Sequence, residues 1–267
     1  MDSARRNEYF LKHVVGGDDV ARARQLLKAH PSYADADWGA RAMAACGLCM
    51  AGDADEVEEE EDGTTLHLAC ADGSLNVAAL LLENGADPNA SNCNGRRPLC
   101  FAAHRGHLQV VKLLLQSGAD PNSGNSRCGH PPLVSALHND ASWSEDFALA
   151  YVELLVEHGA NVNQAGPNGT PLHCAARHGP GRIVKLLISR AADINAQTVE
   201  QGATALHLVL SRRSNGSAGC AERTETAEMV TLLVESGADT NAKDRQGLTP
   251  LQCAENQDDM EALALMS

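Results

Sequence analysis

The chain has 267 residues, 43% of them hydrophobic, 21% charged and only 3% aromatic, so it is long enough to bury a core and must build that core from Leu, Val and Ala. With 35 acidic against 21 basic residues the formal net charge is -14, which repels phosphate backbones and anionic lipid and argues against a nucleic-acid or membrane partner. The start, MDSARRNEYFLKHVV, lacks the apolar stretch of a secretory signal, runs such as VAALLL (77–82) are too short to span a bilayer, and nine cysteines in that setting read as reduced thiols of the cytoplasm or nucleus.

In chain order, residues 8–35 predict a helix, a turn at GGDD and a second helix ending before Pro31. Residues 36–61 predict a short degraded unit, with a first helix over GARAMAACGLCMA. Cys46 and Cys49 form a CxxC there, but no second CxxC or HxxxH stands at zinc spacing, and an Ala-rich helix is not the strand-led setting of a redox motif. The pair is read as part of a helix face, with no metal and no cofactor. The run DADEVEEEED (53–62) holds eight acids in ten residues and reads as a solvated linker, with a docking patch for a basic partner as the alternative.

From Asp62 onward one stretch recurs. Its copies are DGTTLHLACADG (62–73), NGRRPLCFAAHRGH (94–107), a degraded GHPPLVSALHND (129–140), NGTPLHCAARHG (168–179), QGATALHLVLS (201–211) and QGLTPLQCAEN (246–256). The aligned leucines are Leu66, Leu99, Leu133, Leu172, Leu206 and Leu251, at spacings of 33, 34, 39, 34 and 45. A second motif follows in turn, as LLLENGADPNA (80–90), LLLQSGADPNS (113–123), LLVEHGANVNQ (154–164), LLISRAADINA (186–196) and LLVESGADTNA (232–242). In GTPLH, Thr170 suits a helix N-cap and Pro171 the first helical position, where no N–H is needed. Leu172, Ala175 and Ala176 then form a packing face whose small residues let helices approach closely. A second helix carries apolar residues at 183, 184, 186, 187 and 188. A glycine such as Gly118 can end it in the left-handed conformation, and ADPN leads into a hairpin-like finger. By that pattern Gly85, Gly118, Gly159 and Gly237 take positive φ, while Ala191, which holds the equivalent place in SRAADIN, is either strained there or its helix ends differently.

Two motifs in fixed order at this period resemble the ankyrin-repeat family, over at least residues 62–256. The resemblance implies an all-α solenoid of stacked helix-turn-helix repeats with β-hairpin-like fingers. Residues 1–61 are then divergent N-terminal repeats or a cap with the acidic run. Residues 62–244 hold five repeats, and 245–267 a C-terminal capping repeat. The long spacings come from two insertions at helix–helix turns, HNDASWSEDF (138–147) and SRRSNGSAGCAERTE (211–225), the latter expected to be a mobile loop. In this family the motif histidine ties neighbouring repeats together, so His67, His173 and His207 are expected to be structural. The swaps to Cys100, Val134 and Gln252 in other copies agree with that.

The resemblance also implies protein recognition through the concave face and fingers, with no catalytic residues, no metal and no cofactor. No Gly-rich phosphate loop, nucleophile elbow or carboxylate pair in helical register is present. The expected role is an adaptor, scaffold or inhibitor, monomeric by itself. Alternatives are a substrate-recognition subunit of a ubiquitin ligase or other enzyme complex, weakened because no adaptor-type box follows the repeats, and an enzyme with its site in the degenerate N-terminal region. In this family the two residues after the LHLAA block line the concave surface. They are here Ala71 and Asp72, His104 and Arg105, His138 and Asn139, Arg177 and His178, and Ser211 and Arg212, with Arg96 nearby on a finger turn. Four consecutive copies present Arg or His and no acid, which suits an acidic or phosphorylated partner segment. Finally, Leu-x7-Asn repeats resemble substrates of an asparaginyl hydroxylase. Asn89, Asn122, Asn195 and Asn241 fit that pattern with an acid two residues before, whereas Asn163 has Asn161 in that place.

Overall fold

The computed structural model describes residues 18–29, 37–38, 63–92, 95–123, 130–138, 144–212 and 220–255. Among them the architecture is all-α, as the repeat pattern predicts, apart from one two-residue antiparallel ladder and a bridge between Gly166 and Gly169. The chain forms two compact units, residues 1–128 and 129–267.

In the first unit, α1 (Val20–Ala29) is followed by β1 (Asp37–Trp38) and β2 (Gly63–Thr64), which pair Asp37 with Thr64 and Trp38 with Gly63. Two helix pairs follow, α2 (Thr65–Asp72) with α3 (Leu75–Glu83) and α4 (Pro98–His104) with α5 (Leu108–Gln116). First helices pack on first helices, α2 against α4, and second on second, α3 against α5, with α1 joining that second layer against α3. So α1 sits where the second helix of the N-terminal repeat is expected. The helix expected before it, the GARAMAACGLCMA segment, the CxxC and the acidic run lie outside the described residues. Asp18, held at φ 48, spans this junction. Its carboxylate accepts the Val77 N–H at 2.8 Å, a donor that the first turn of α3 leaves open, and also the Asn76 side-chain amide.

The second unit repeats the plan with α6 (Pro132–His138) and α7 (Glu145–Glu157), α8 (Pro171–His178) and α9 (Gly181–Ser189), α10 (Ala205–Arg212) and α11 (Cys220–Glu235), then α12 (Pro250–Glu255). The first-helix layer runs α6, α8, α10, α12 and the second-helix layer α7, α9, α11. The core is what the periodicity predicts. Leu133, Leu172, Leu206, Ile183, Val184 and Leu187 are buried, and Ala175 and Ala176 are fully covered, their small size setting the close spacing of the first helices. Gly179 ends α8, where a Cβ would stand 2.9 Å from the Ala175 backbone of the same helix.

The insertions differ from expectation. The 211–225 segment is helical at both ends, because Ser211 and Arg212 finish α10 and Cys220 to Glu225 open α11. Alanine, glutamate and arginine in AERTE favour helix and extend it back into the insertion. The 138–147 segment is likewise consumed at both ends. His138 closes α6, and Ser144 caps α7 by accepting the Phe147 N–H at 3.2 Å.

Second helices end in one geometry. Gly85, Gly118, Gly159 and Gly237 follow them at φ 92, 90, 89 and 95, and Ala191 holds the same place at φ 62. Ala191 N–H bonds Ile188 O at 3.1 Å and Ala192 N–H bonds Leu187 O at 3.0 Å, the same closure that Gly85 and Ala86 make on Leu82 and Leu81. The closure therefore imposes a left-handed residue on an alanine that pays a steric penalty for it. Ala191→Gly is expected to raise unfolding free energy by about 0.5–1 kcal/mol, read from the urea midpoint at unchanged m-value. Gly118→Ala is expected to lower it by about as much, since nothing stands within 4 Å of the added Cβ and only backbone strain is introduced. Equal midpoints in both variants would refute the assignment.

Candidate interaction surface

The motif histidines are fully engaged. The Thr64 N–H donates to His67 Nδ1 at 3.0 Å, with the Thr64 hydroxyl 2.9 Å from the same nitrogen, and His67 Nε2 donates to the Arg96 carbonyl of the next finger at 3.1 Å. His173 repeats this with Thr170, at 3.1 and 2.8 Å, and its Nε2 reaches Ala203 O at 3.1 Å and Ala196 O at 3.0 Å. His207 repeats it with Thr204, at 3.2 and 2.9 Å, and Leu248 O at 3.1 Å. Since Nδ1 must accept a backbone N–H, the proton sits on Nε2, and the ring is neutral. Each histidine thus closes a capping box on its own helix and pins the carbonyl just before the next copy's N-cap. Gln252 performs the capping half alone, its Oε1 accepting the Thr249 N–H at 3.0 Å.

Finger asparagines form a second set of ties. Asn89 Nδ2 donates to Gly118 O at 2.9 Å and its Oδ1 accepts the Asp120 N–H at 2.8 Å. Asn195 does the same to Gly237 O and Asp239 N–H, at 3.1 and 2.8 Å. Asn163, the weakest member of the sequence pattern, does so equally, to Ala191 O and Asp193 N–H at 3.2 and 2.8 Å. Within each finger the side chain two residues earlier accepts the asparagine's own N–H, as Asp120 does for Asn122 and Asp239 for Asn241. The sequence contained the signal for this clamp, because donor and acceptor both lie in the recurring GADxN block, but spacing does not say that the bond runs to the next finger.

The cysteines beside these histidines are not poised as nucleophiles. Burial pushes the Cys70 thiol well above its ordinary range and the Cys174 thiol up to about 11, so both stay protonated at neutral pH. Cys70, Cys100, Cys174 and Cys253 form no disulfide.

The residues expected to face a partner lie at the C-terminal ends of first helices. In the first unit, His104 and Arg105 are exposed, while Asp72 is half-buried and takes the Ser74 hydroxyl at 2.8 Å. In the second unit, His178 is exposed and Arg177 is half-buried, its Nη2 donating to Gln201 Oε1 of the next finger at 3.4 Å. His138 and Arg212 close α6 and α10, and Asn139 lies outside the described residues. Arg96 is half-buried on its finger. Its N–H bonds Asn92 Oδ1 at 2.8 Å, and its Nε meets no acceptor among the described residues. Sequence reasoning missed Arg97, Gln201 and Arg245, finger residues that join copies. Arg97 Nη1 reaches Asn89 Oδ1 at 3.4 Å, and Arg245 N–H donates to Gln201 O at 2.9 Å.

Comparison with known proteins agrees with this geometry. Residues 39–125 and 123–216 match the family model described as "Ankyrin repeats (3 copies)", and 201–245 that of a single "Ankyrin repeat". The mouse protein named RelA-associated inhibitor is 36% identical over 105 residues, 39% of this chain and 12% of that protein. Ankyrin repeat and SAM domain-containing protein 6 of Danio rerio is 28% identical over 179 residues, 67% of this chain and 23% of that protein. The matches thus span less than a quarter of these relatives' own length. Among solved structures, the ankyrin repeat domain of Bcl-3 superposes with a TM-score of 0.68 at 23% identity, covering 96% of each chain, a likeness of fold.

The histidine ties have a pH signature. Burial lowers the pKa of His173 below its ordinary 6.5, opposed by its bonds to Ala196 and Ala203 and assisted by the nearby Arg177 charge. With the folded value below the unfolded one, the unfolded chain binds the proton first. The contribution to stability is complete above the unfolded value near 6.5 and is lost as pH falls through the folded one. His173→Gln keeps a cap of the kind Gln252 makes and removes the titration. Between about pH 7.5 and about pH 5 the wild-type urea midpoint is expected to fall by more than the variant's. Parallel pH profiles would refute a neutral, buried imidazole.

Proposed function

The chain belongs to the ankyrin-repeat family, whose repeats are in general non-catalytic protein-interaction modules, and on that premise we propose that it acts as an adaptor, scaffold or inhibitor. The observation that carries this reading is a division of labour. The motif side chains that recur between copies spend their polar atoms on capping boxes and finger ties, whereas the residues ending the first helices reach solvent. Positions of the second kind are free to differ from copy to copy, and recognition rests on them and on the fingers. Arg105 and His104 in the first unit, and Arg177 and His178 in the second, favour a partner segment bearing Asp, Glu or phosphate, because guanidinium pairs with such groups bidentately. An inhibitor's role has support from the name of the mouse relative. A cytoplasmic or nuclear location is consistent with described cysteines that form no disulfide and with the absence, among the described residues, of a helix long and apolar enough to cross a membrane.

Affinity capture from the native cell, followed by binding measurements on the captured partner, tests the surface. Arg105→Glu and Arg177→Glu are each expected to weaken binding, and together by about 2 kcal/mol or more, as for hot-spot residues. The thermal midpoint should move little, and wild-type affinity should decline as salt rises. Unchanged affinity in a folded double variant would move the interface elsewhere.

Hydroxylation of Asn89, Asn122, Asn195 and Asn241 is the second part of the proposal. It is supported by the exposure of Asn195 and Asn241. Intact-peptide mass spectrometry of the protein from cells containing an asparaginyl hydroxylase is expected to show one added oxygen on at least one of these residues. Unmodified peptides throughout would overturn it.

A further inference from the structure

We propose that His207, Asp244 and Cys253 form a zinc-binding site joining the fifth repeat to the last finger and to α12. No sequence motif announces it, since the residues are far apart in the chain and only the stacking register brings them together. Their ligand atoms lie within 4.8 Å of one another, with His207 buried and the other two half-buried. Zinc held at about 2.0–2.3 Å would set such atoms roughly 3.3–3.8 Å apart, so an inward turn of side chains by about 1 Å completes the site. A thiolate, an imidazole and a carboxylate form a donor set suited to zinc and unsuited to magnesium or calcium.

Two of the three ligand atoms are open, and the third is gained by exchange. Asp244 spends Oδ1 on the N–H groups of Gln246 and Leu248, at 2.8 and 2.9 Å, and its Oδ2 takes no hydrogen bond from a described residue. Cys253 is an unpaired thiol. His207 Nε2 donates to Leu248 O at 3.1 Å and its Nδ1 accepts the Thr204 N–H at 3.2 Å, so zinc takes this ring by exchange: the metal-bound imidazole carries its proton on Nδ1, donates it to the Thr204 hydroxyl 2.9 Å away, and gives up both of those ties. Zinc then replaces the Cys253 proton, which leaves to solvent, and a water fills the fourth position.

The other copies act as an internal comparison. The same three positions are His67, Asn92 and Phe101 in one register and His173, Thr198 and Leu208 in another. Neither offers a thiolate or a carboxylate. The copies also supply substitutions that the fold already accepts. Gln stands at the histidine position in Gln252, Asn at the aspartate position in Asn92, where Oδ1 accepts the Arg96 N–H, and Leu at the cysteine position in Leu208.

The test uses the full chain under a non-thiol reductant, titrated with cobalt(II) and then zinc(II). Wild type is expected to develop a sulfur-to-cobalt charge-transfer band at one equivalent, to lose it when zinc displaces the cobalt, and to gain thermal midpoint with zinc. Cys253→Leu should abolish the band. Asp244→Asn and His207→Gln should each weaken binding at least about ten-fold while their metal-free circular dichroism stays native. Absence of the band in wild type, or its persistence in Cys253→Leu, overturns the proposal, the second outcome moving the metal to other cysteines. If Cys253→Leu fails to fold, unweakened binding by folded Asp244→Asn overturns it equally.

Discussion

The structure depends on one imidazole held in one protonation state. A motif histidine accepts a threonine N–H at Nδ1 and donates from Nε2 to a carbonyl of the next finger, so a doubly protonated ring loses the first bond and the opposite tautomer loses both. The first bond answers a local need, since a seven- or eight-residue helix such as α4 or α8 has a large share of its N–H groups unsatisfied at the first turn. The second answers the need of a stacked repeat, which contacts only its neighbours and has no distant part of the chain to hold it. One side chain therefore serves both helix initiation and coupling between copies.

That coupling is redundant, and the redundancy explains why the motif can decay. Cys100 and Val134 cannot make the tie, and Gln252 makes only half of it, yet Leu99 and Leu133 remain buried in the first-helix layers of their units. The finger before Cys100 is still held from the preceding copy, by His67 on the Arg96 carbonyl, and within itself by Asn92 on the Arg96 N–H and Asn89 on the Arg97 guanidinium. Apolar burial supplies the bulk of the cohesion, and the polar ties fix register and finger position. Losing one tie weakens a copy without unstacking it.

Much of this was legible in the sequence, because repetition turns weak local signals into a strong one. The leucine spacing located the first helices, the threonine and proline their starts, and the glycines the ends of the second helices. What spacing could not give was direction between copies. The finger asparagines read as local, and only the stacked geometry shows each clamping the next finger. The 211–225 insertion read as a loop from its Ser, Gly and Asn, while its Ala and Glu residues extend α11. The cluster of His207, Asp244 and Cys253 was hidden for the same reason, as it comes from three elements that are neighbours only after stacking.

The basic character of the first-helix ends has a structural cause that is independent of any partner. His104, Arg177 and His178 stand in the last turns of α4 and α8, where unsatisfied carbonyls and the helix dipole favour cations by about 0.3–1 kcal/mol each. Charge there is thus partly a helix-end property, and Asp72 shows that the position also accepts an acid when a neighbour such as Ser74 donates to it. Accessibility at these positions, by contrast, follows from the packing of the first helices, which buries the leucine and alanine face and turns the last residues outward. The fold therefore fixes where recognition can occur and leaves its chemistry to the residue that each copy places there. A guanidinium at Arg105 or Arg177 is favoured by its own helix end before any partner arrives, and a partner still has to desolvate and order it.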